Sequence, residues 1–327
     1  MLSAIFNALI RSNQWRPALW AAVPLLLAAA LVAAAVLKPG DAKPALVGSS
    51  ATAGAATAGG SSSLARIPAD HFREMQLLQE TAARAIGRPV RITNSLGMQF
   101  RLIPSGRFEM GSPQSEEGRD AHEGPQHQVE ISTPFYAGVT EVTQAQWRAV
   151  MGTEPWQNEL PTIDEDCPAT YVSWDDAVAF TRRLSERDGC NYRLPTEAEW
   201  EWLCRAGTAT RFSFGDDLSL LSEHAWFDKN ANAGAYRFAQ PVAQKKPNSF
   251  GLHDLHGNVR EWCSDWYSQN WYAQSPVKHP AGPGAGAFRI LRGGAWYSRA
   301  LRLRSADRVY SAPDFRGNGV GFRVILD

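Results

Sequence analysis

Three short helices are dictated locally, and they leave the rest of the chain little room for regular structure. Thr143 with Gln146, Thr196 with Glu199 and Ser173 with Asp176 each place a hydroxyl residue three positions before an amide or acid. In that arrangement the two side chains satisfy each other's orphan backbone N–H groups, so each pair opens a helix. Glycines stop them: Gly152 closes the first, Gly207 the one opened at Thr196, and Gly189 the one opened at Ser173. Short apolar runs at Phe100–Pro104, His127–Ile131 and Phe135–Val139 alternate with Gly, Pro and polar loops, which predicts short strands. Beyond Gly207 no helical period is visible, only Gly-, Asn- and Trp-rich chain. The pattern predicts an α+β domain of low regular content over residues 90–327. It excludes a doubly wound sheet, a barrel and a helical bundle.

Upstream, Pro17 to Leu37 carries no charge and follows Arg11 and Arg16. A helix needs about 20 apolar residues to cross a bilayer. We therefore expect residues 1–16 as a short cytoplasmic N-terminus and 17–37 as a transmembrane anchor. A signal peptide cleaved near Ala33-Ala34-Ala35 is the alternative. Either reading places the domain outside the cytoplasm, at a bacterial inner membrane facing the periplasm or exterior, or secreted after cleavage. Residues 38–68 are Ala, Gly, Ser and Thr with few large apolar side chains, a composition expected to form a flexible tether of roughly 30 Å reach. Residues 69–87 then predict an amphipathic helix. Its apolar stripe of Phe72, Met75, Leu78, Ala82 and Ile86 is expected to pack on the following domain, with a partner helix as the alternative.

Lys+Arg and Asp+Glu are both 33, so the balance of charge lacks the basic footprint of a nucleic-acid binder. Twelve tryptophans suit a loop-rich domain with rigid aromatic anchors. Of the cysteines, Cys167, Cys190, Cys204 and Cys263, none forms a CxxC pair, so zinc-ribbon and thioredoxin-like readings lack support. Zero, one or two disulfides all remain compatible with them. His253 with His256, and His122 with His127, lack a third ligand at helical spacing and are read as surface or turn histidines. Arg299, Arg302, Arg304 and Arg308 alternate with apolar residues beside Trp296 and Tyr297. That spacing predicts either a strand with a solvated arginine face or a pocket wall for an anionic or planar ligand.

Eight blocks follow one another in order. They are Met110-Gly111-Ser112, Glu141-Val-Thr143-Gln, Val172-Ser-Trp174-Asp-Asp-Ala177, Arg193-Leu-Pro-Thr196-Glu-Ala-Glu199-Trp-Glu201, Asn248-Ser-Phe-Gly251-Leu, Gly257-Asn258-Val-Arg-Glu261-Trp262, Arg292-Gly-Gly294-Ala-Trp296 and Gly321-Phe322-Arg323. In this order and spacing they resemble the formylglycine-generating enzyme, or sulfatase-modifying factor, domain family. The resemblance implies a complex C-type-lectin-like fold. It also implies oxidation of a sulfatase cysteine by oxygen and copper(I) held by two cysteines soon after the Arg-Gly-Gly motif. Soft thiolates are what copper(I) selects, and here the corresponding positions fall to Ser298, Ala300 or Leu303, with Ala295 in place of the family's serine. Copper is therefore not expected, and the catalytic residues are unassigned. Cleft candidates are Trp296, Tyr297, Arg299, Arg302 and Arg308, facing a peptide, protein or small anionic ligand.

The resemblance further implies a structural calcium ion held by Asp254, Glu261 and the carbonyls of Gly257 and Val259, oxygen ligands of the kind hard cations take. Read without it, Asp254 and Glu261 cap turns and pair with Arg260 or another arginine. It also implies a disulfide from Cys204 in some relatives, whose counterpart here is Ser305, leaving Cys204 as a buried thiol. Two functions follow as expectations. One is a divergent, exported, membrane-anchored enzyme of the siderophore-maturation type. The other is a non-catalytic lectin-like binding or scaffold module.

Overall fold

The computed structural model describes residues 67–159, 164–231 and 238–327. The anchor or signal segment at 17–37 and nearly all of the 38–68 tether lie outside the described residues. No helix among the described residues is long and apolar enough to cross a membrane.

Among the described residues five helices form: α1 (His71–Ile86), α2 (Gln144–Met151), α3 (Trp174–Asp188), α4 (Glu197–Arg205) and the single turn α5 (Leu221–His224). The three capping boxes are made as the sequence predicts. Thr143, Ser173 and Thr196 each accept from the third backbone N–H while the side chains of Gln146, Asp176 and Glu199 reach back. Gly152 and Gly189 end α2 and α3 in the left-handed conformation. At α4 the left-handed residue is Ala206 rather than Gly207, which follows with φ +86°. Gly207 is required there for another reason: a Cβ would strike Met75 of α1.

Among the described residues eleven strands make three sheets. β1 (Arg91–Thr93), β2 (Gln99–Ile103), β5 (Phe135–Gly138), β11 (Ile325–Leu326) and β6 (Tyr192–Arg193) lie in that spatial order. The C-terminal strand is thus inserted between two earlier ones, with Ile325 opposite both Ala137 and Arg193. β10 (Val320–Gly321), β7 (Arg260–Trp266), β8 (Arg289–Arg292) and β9 (Arg308–Ser311) form the second sheet, and β3 (Gly106–Met110) pairs with β4 (His127–Ile131).

Tryptophan carries much of the core, as the composition predicts. Trp147, Trp156, Trp200 and Trp262 are fully buried. Trp200 donates to Glu261 Oε2 at 2.8 Å, Trp202 to the Pro104 carbonyl at 3.0 Å and Trp262 to the Val172 carbonyl at 3.0 Å, so these three rings are buried without stranding their N–H groups, whereas the N–H of Trp156 has no partner among the described residues.

The face of α1 that packs differs from the expected stripe. His71, Met75, Gln79 and Ala83 are buried, whereas Phe72, Leu78 and Ile86 are exposed. Hydrogen bonding decides the rotation. His71 Nε2 meets the Ala206 carbonyl at 3.0 Å, and Gln79 Nε2 donates to the carbonyls of Leu102 and Phe250 at 2.9 and 3.1 Å. Those carbonyls would otherwise be buried without a partner, a cost comparable to the gain from burying an apolar side chain.

Arginine is the other core residue. Arg292, Arg304, Arg308 and Arg323 are all at most 1% exposed. Each faces glutamate: Arg323 grips Glu261 at 2.6 and 2.7 Å, Arg308 grips Glu197 at 2.7 Å twice, Arg304 grips Glu123 at 2.7 Å twice, and Arg292 pairs with Glu201. Several of their remaining N–H groups go to carbonyls, such as Gly138 and His253 for Arg323, while Arg304 also reaches the Glu116 carboxylate at 2.6 Å. Removing one member strands a charge. We expect Arg323→Leu to lower unfolding free energy by about 3–5 kcal/mol in urea titrations, whereas Arg107→Ala, at an exposed pair with Glu130, costs about 1 kcal/mol or less.

Candidate functional site

β8 delivers the chain into Gly293 and Gly294, whose φ angles are +94° and +78°. Only glycine suits that pair: a Cβ on Gly294 would lie 2.7 Å from the Arg302 carbonyl. The chain turns sharply and returns as a loop. Ser298 is buried within it, its Oγ accepting from the Ala295 N–H at 3.0 Å and its carbonyl accepting from the Asp228 N–H at 3.1 Å. A short 3-10 turn, Ala300–Arg302, follows. Leu303 then plugs into Phe212, Leu221, Ala225 and Phe227.

Between this turn and its neighbours lies an open groove of about 540 Å³, lined by Gly118, Asp228, Lys229, Arg299, Ala300, Leu301 and Arg302. Its floor is apolar and its rim is charged. Arg302 is already paired with Asp120 and with Asp307. Among the described residues no carboxylate lies within ion-pair distance of Lys229 or Arg299. Gly118, at φ +79°, holds Leu301 against the wall, since a Cβ there would meet Leu301 Cβ at 2.9 Å.

The candidates read from the sequence are therefore divided. Arg299 and Arg302 line the groove, and Tyr297 is exposed beside it in sequence. Trp296 is buried with Ala231, Ala239 and Val259, and Arg308 is committed to Glu197 in the interior. The alternating arginines do not form one strand with a solvated face. The 3-10 turn breaks the alternation, sending Arg304 and Arg308 inward while Arg299 stays at the surface. Lys229 and Asp228 were not legible as groove residues, because the loop at 295–303 brings them there and no local pattern marks them. Asp120, Glu123 and Asp307 also converge, with carboxylate oxygens within 4.8 Å of one another. Arg260, Arg302 and Arg304 neutralise them as an ion-pair network.

None of the four cysteines lines the groove, and none is in a disulfide. Cys167, Cys204 and Cys263 are buried and Cys190 is exposed. The groove does not fit copper(I): Ser298 is turned into its own loop, Ala300 has no donor atom and Leu303 is fully buried. Cys204 donates to Ser305 Oγ at 3.6 Å, and burial pushes its thiol up to about 12, so it stays protonated where a disulfide had been expected missing.

A second polar cluster lies behind β7. Asp254, at φ +62°, accepts from the Ala243 N–H through Oδ2 at 2.7 Å, while its buried Oδ1 has no hydrogen-bond partner. Both oxygens of buried Glu141 also lack one. Glu261 is shared between Arg323 and Trp200. Burial raises the Asp254 carboxyl to about 6, and burial followed by the charges of Asp254 and Glu261 raises Glu141 as well. Unpartnered buried carboxylate oxygens are one kind of donor a hard cation takes, and Oδ1 of Asp254 is such an oxygen. Glu141 stood in a quoted motif, but only its neighbour Thr143 was read, as a cap.

His256 is not the surface or turn residue its spacing suggested. It is buried, its Nδ1 donating to the Leu303 carbonyl at 2.7 Å and its Nε2 accepting from the Ser213 N–H at 3.1 Å. These partners select the neutral ring.

Topology and site together define an α+β protein of the formylglycine-generating-enzyme-like fold that lacks a thiolate pair in its groove. Residues 91–327 match the sulfatase-modifying factor enzyme 1-like domain, and the chain belongs to that family. It is 32% identical to the formylglycine-generating enzyme of Streptomyces coelicolor over 75% of this chain and 94% of that enzyme. Among solved structures it is similar to PvdO from Pseudomonas aeruginosa, with 29% identity, a TM-score of 0.65, and coverage of 72% of this chain and 97% of that one. Treponema denticola variable protein 1 is also similar, with 29% identity and a TM-score of 0.64 over 73% and 99%.

His256 yields a pH prediction. Burial lowers its pKa from 6.5 to about 4, so the native state favours the neutral ring. The stabilisation is complete above pH 6.5 and is lost as pH falls through about 4. A shift of this size corresponds to on the order of 3 kcal/mol. We expect chemical denaturation between pH 7 and 4 to show this loss, and His256→Asn, which cannot titrate, to flatten the slope over that window.

Proposed function

We propose that this chain is an extracytoplasmic binding module of the family, which holds an anionic ligand in the groove between Asp228-Lys229 and Arg299–Arg302 and does not oxidise cysteine through copper. One observation carries the reading. Among the described residues Lys229 and Arg299 have no carboxylate ion-pair partner, and they line the groove together with the apolar side chains of Ala300 and Leu301 and with no sulfur. Arginine and lysine in such a position recognise carboxylate or phosphate groups on a peptide, protein or small molecule, with arginine offering the bidentate geometry. The uncharged stretch at 17–37 supports membrane anchoring with the domain in the periplasm or exterior.

A second reading, the divergent periplasmic enzyme of the siderophore-maturation type, takes its support from the likeness to PvdO across nearly all of that chain. The two differ in what the groove must contain, since turnover requires a group that can transfer protons or electrons. Among the described residues Asp228 is the carboxylate that lines it.

Native mass spectrometry of the protein purified from its own host is expected to show a bound anionic molecule, absent from the Lys229→Glu/Arg299→Glu variant. A sulfatase peptide bearing its target cysteine is expected to remain unmodified when copper(I) is supplied. Formylglycine in that peptide, or stoichiometric copper(I) retained against a competing chelator, defeats the binding-module reading.

We also propose a structural calcium ion at Asp254, with the carbonyls of Gly257 and Val259 as further ligands, where it would compensate the buried Asp254 charge; Glu261, expected as a ligand, is instead committed to Arg323 and Trp200. We expect EDTA to lower the Tm of the wild type by several degrees and calcium to restore it. Asp254→Asn should be insensitive to both, and an unchanged wild-type Tm rejects the assignment.

A further inference from the structure

A second cavity, of about 330 Å³, opens at the edge of the five-stranded sheet, where β1 is the outermost strand. The register places Arg91 directly opposite Arg101, and Thr93 opposite Gln99. Alternation along the strands puts these four side chains on one face, and all four line the cavity together with His253. Among the described residues no aspartate or glutamate lines it. Among the described residues neither Arg91 nor Arg101 has an ion-pair partner. Arg91 is exposed and Arg101 half-buried.

Like charges directly opposite on antiparallel strands destabilise a sheet, because their Cβ atoms lie only about 4.5–5.5 Å apart. The domain elsewhere matches its buried arginines with glutamates, so an unmatched facing pair is an exception. Arg101 is also seated. Its guanidinium lies across the backbone of Gly251, where a Cβ would meet Nη2 at 2.8 Å, and the φ of +77° at Gly251 suits glycine. His253 is fixed by Nδ1 donating to the Lys245 carbonyl at 2.8 Å and by its own N–H donating to the Val139 carbonyl at 2.9 Å. Burial, and then the charge of Arg91, lower the pKa of Arg101, the response expected of a cation held beside another.

We propose that the Arg91–Arg101 cavity is a binding site for a tetrahedral oxyanion, a phosphate or sulfate group either free or carried as a monoester. The two guanidinium groups supply charge and donor pairs, and Thr93 and Gln99 add a hydroxyl and an amide. The site is separate from the 299–302 groove and stands whether or not the reading of that groove is right.

Thermal unfolding of the full-length protein tests it, in sodium chloride against sodium phosphate or sulfate at matched ionic strength, because salt alone relieves repulsion between exposed charges. At ten times its Kd a bound ion raises the Tm of a domain this size by roughly 3–6 °C. We expect that rise in the wild type and its loss in Arg101→Gln. In chloride alone, Arg101→Gln is expected to melt at or above the wild-type temperature, since the cross-strand repulsion is gone. Arg107→Gln, on a different sheet, keeps the full response and controls for general charge loss. O-Phosphoserine in place of inorganic phosphate distinguishes the carriers: an equal or larger rise identifies a monoester, and a response to the inorganic ion alone identifies a free anion. No rise above chloride in the wild type, or an undiminished rise in Arg101→Gln, overturns the proposal.

Discussion

Buried arginine–glutamate pairing is the constraint on which this fold depends. Much of the chain beyond α4 is loop, and loops carry backbone carbonyls that no ladder satisfies. A guanidinium offers five donors in a rigid fork. Here each fork takes a carboxylate on one side and carbonyls on the other, so charge and irregular backbone are dealt with by the same group. The partners lie far apart in sequence: Arg323 joins β7 to the end of β5, Arg304 gathers the segment at 116–123, and Arg308 reaches α4 and His122. Such pairs do not create stability from nothing, since desolvating two charges consumes most of their attraction. They confine the loops to one arrangement, because any other leaves a charge buried alone.

The groove is a by-product of that arrangement. The paired glycines aim the loop, Leu303 anchors its far end, and the intervening 3-10 turn projects Arg299 and Arg302 outward. None of the four cysteines lines this turn. It carries instead a Ser298 hydroxyl bonded to its own backbone and a Leu303 locked into a hydrophobic cluster. Both contacts tie the loop to the domain and leave Arg299 at its surface.

How much of this was legible depended on the range of the forces involved. The helices at Thr143, Ser173 and Thr196 were readable because capping is settled within four residues. The family blocks were readable because glycines and tryptophans mark backbone constraints that survive in one dimension. The buried face of α1 was misread because apolar periodicity ignores the hydrogen-bond demand of Leu102, Phe250 and Ala206, which arrive from distant strands and turns. His256 and Arg308 were misread for the same reason, since a polar side chain looks exposed until its buried partners are known. Lys229, Asp228 and the unpartnered oxygens of Glu141 carry no local signal, and only tertiary proximity gives them meaning.

The distribution of sulfur in the domain has a practical consequence. Cys190 stands at the surface after α3, whereas Cys167, Cys204 and Cys263 are enclosed. A thiol reagent applied to the folded protein will therefore mark a single position, far in sequence from the groove loop. The enclosed three become reactive only as their surroundings open, so the order in which they are alkylated records which part of the interior loosens first.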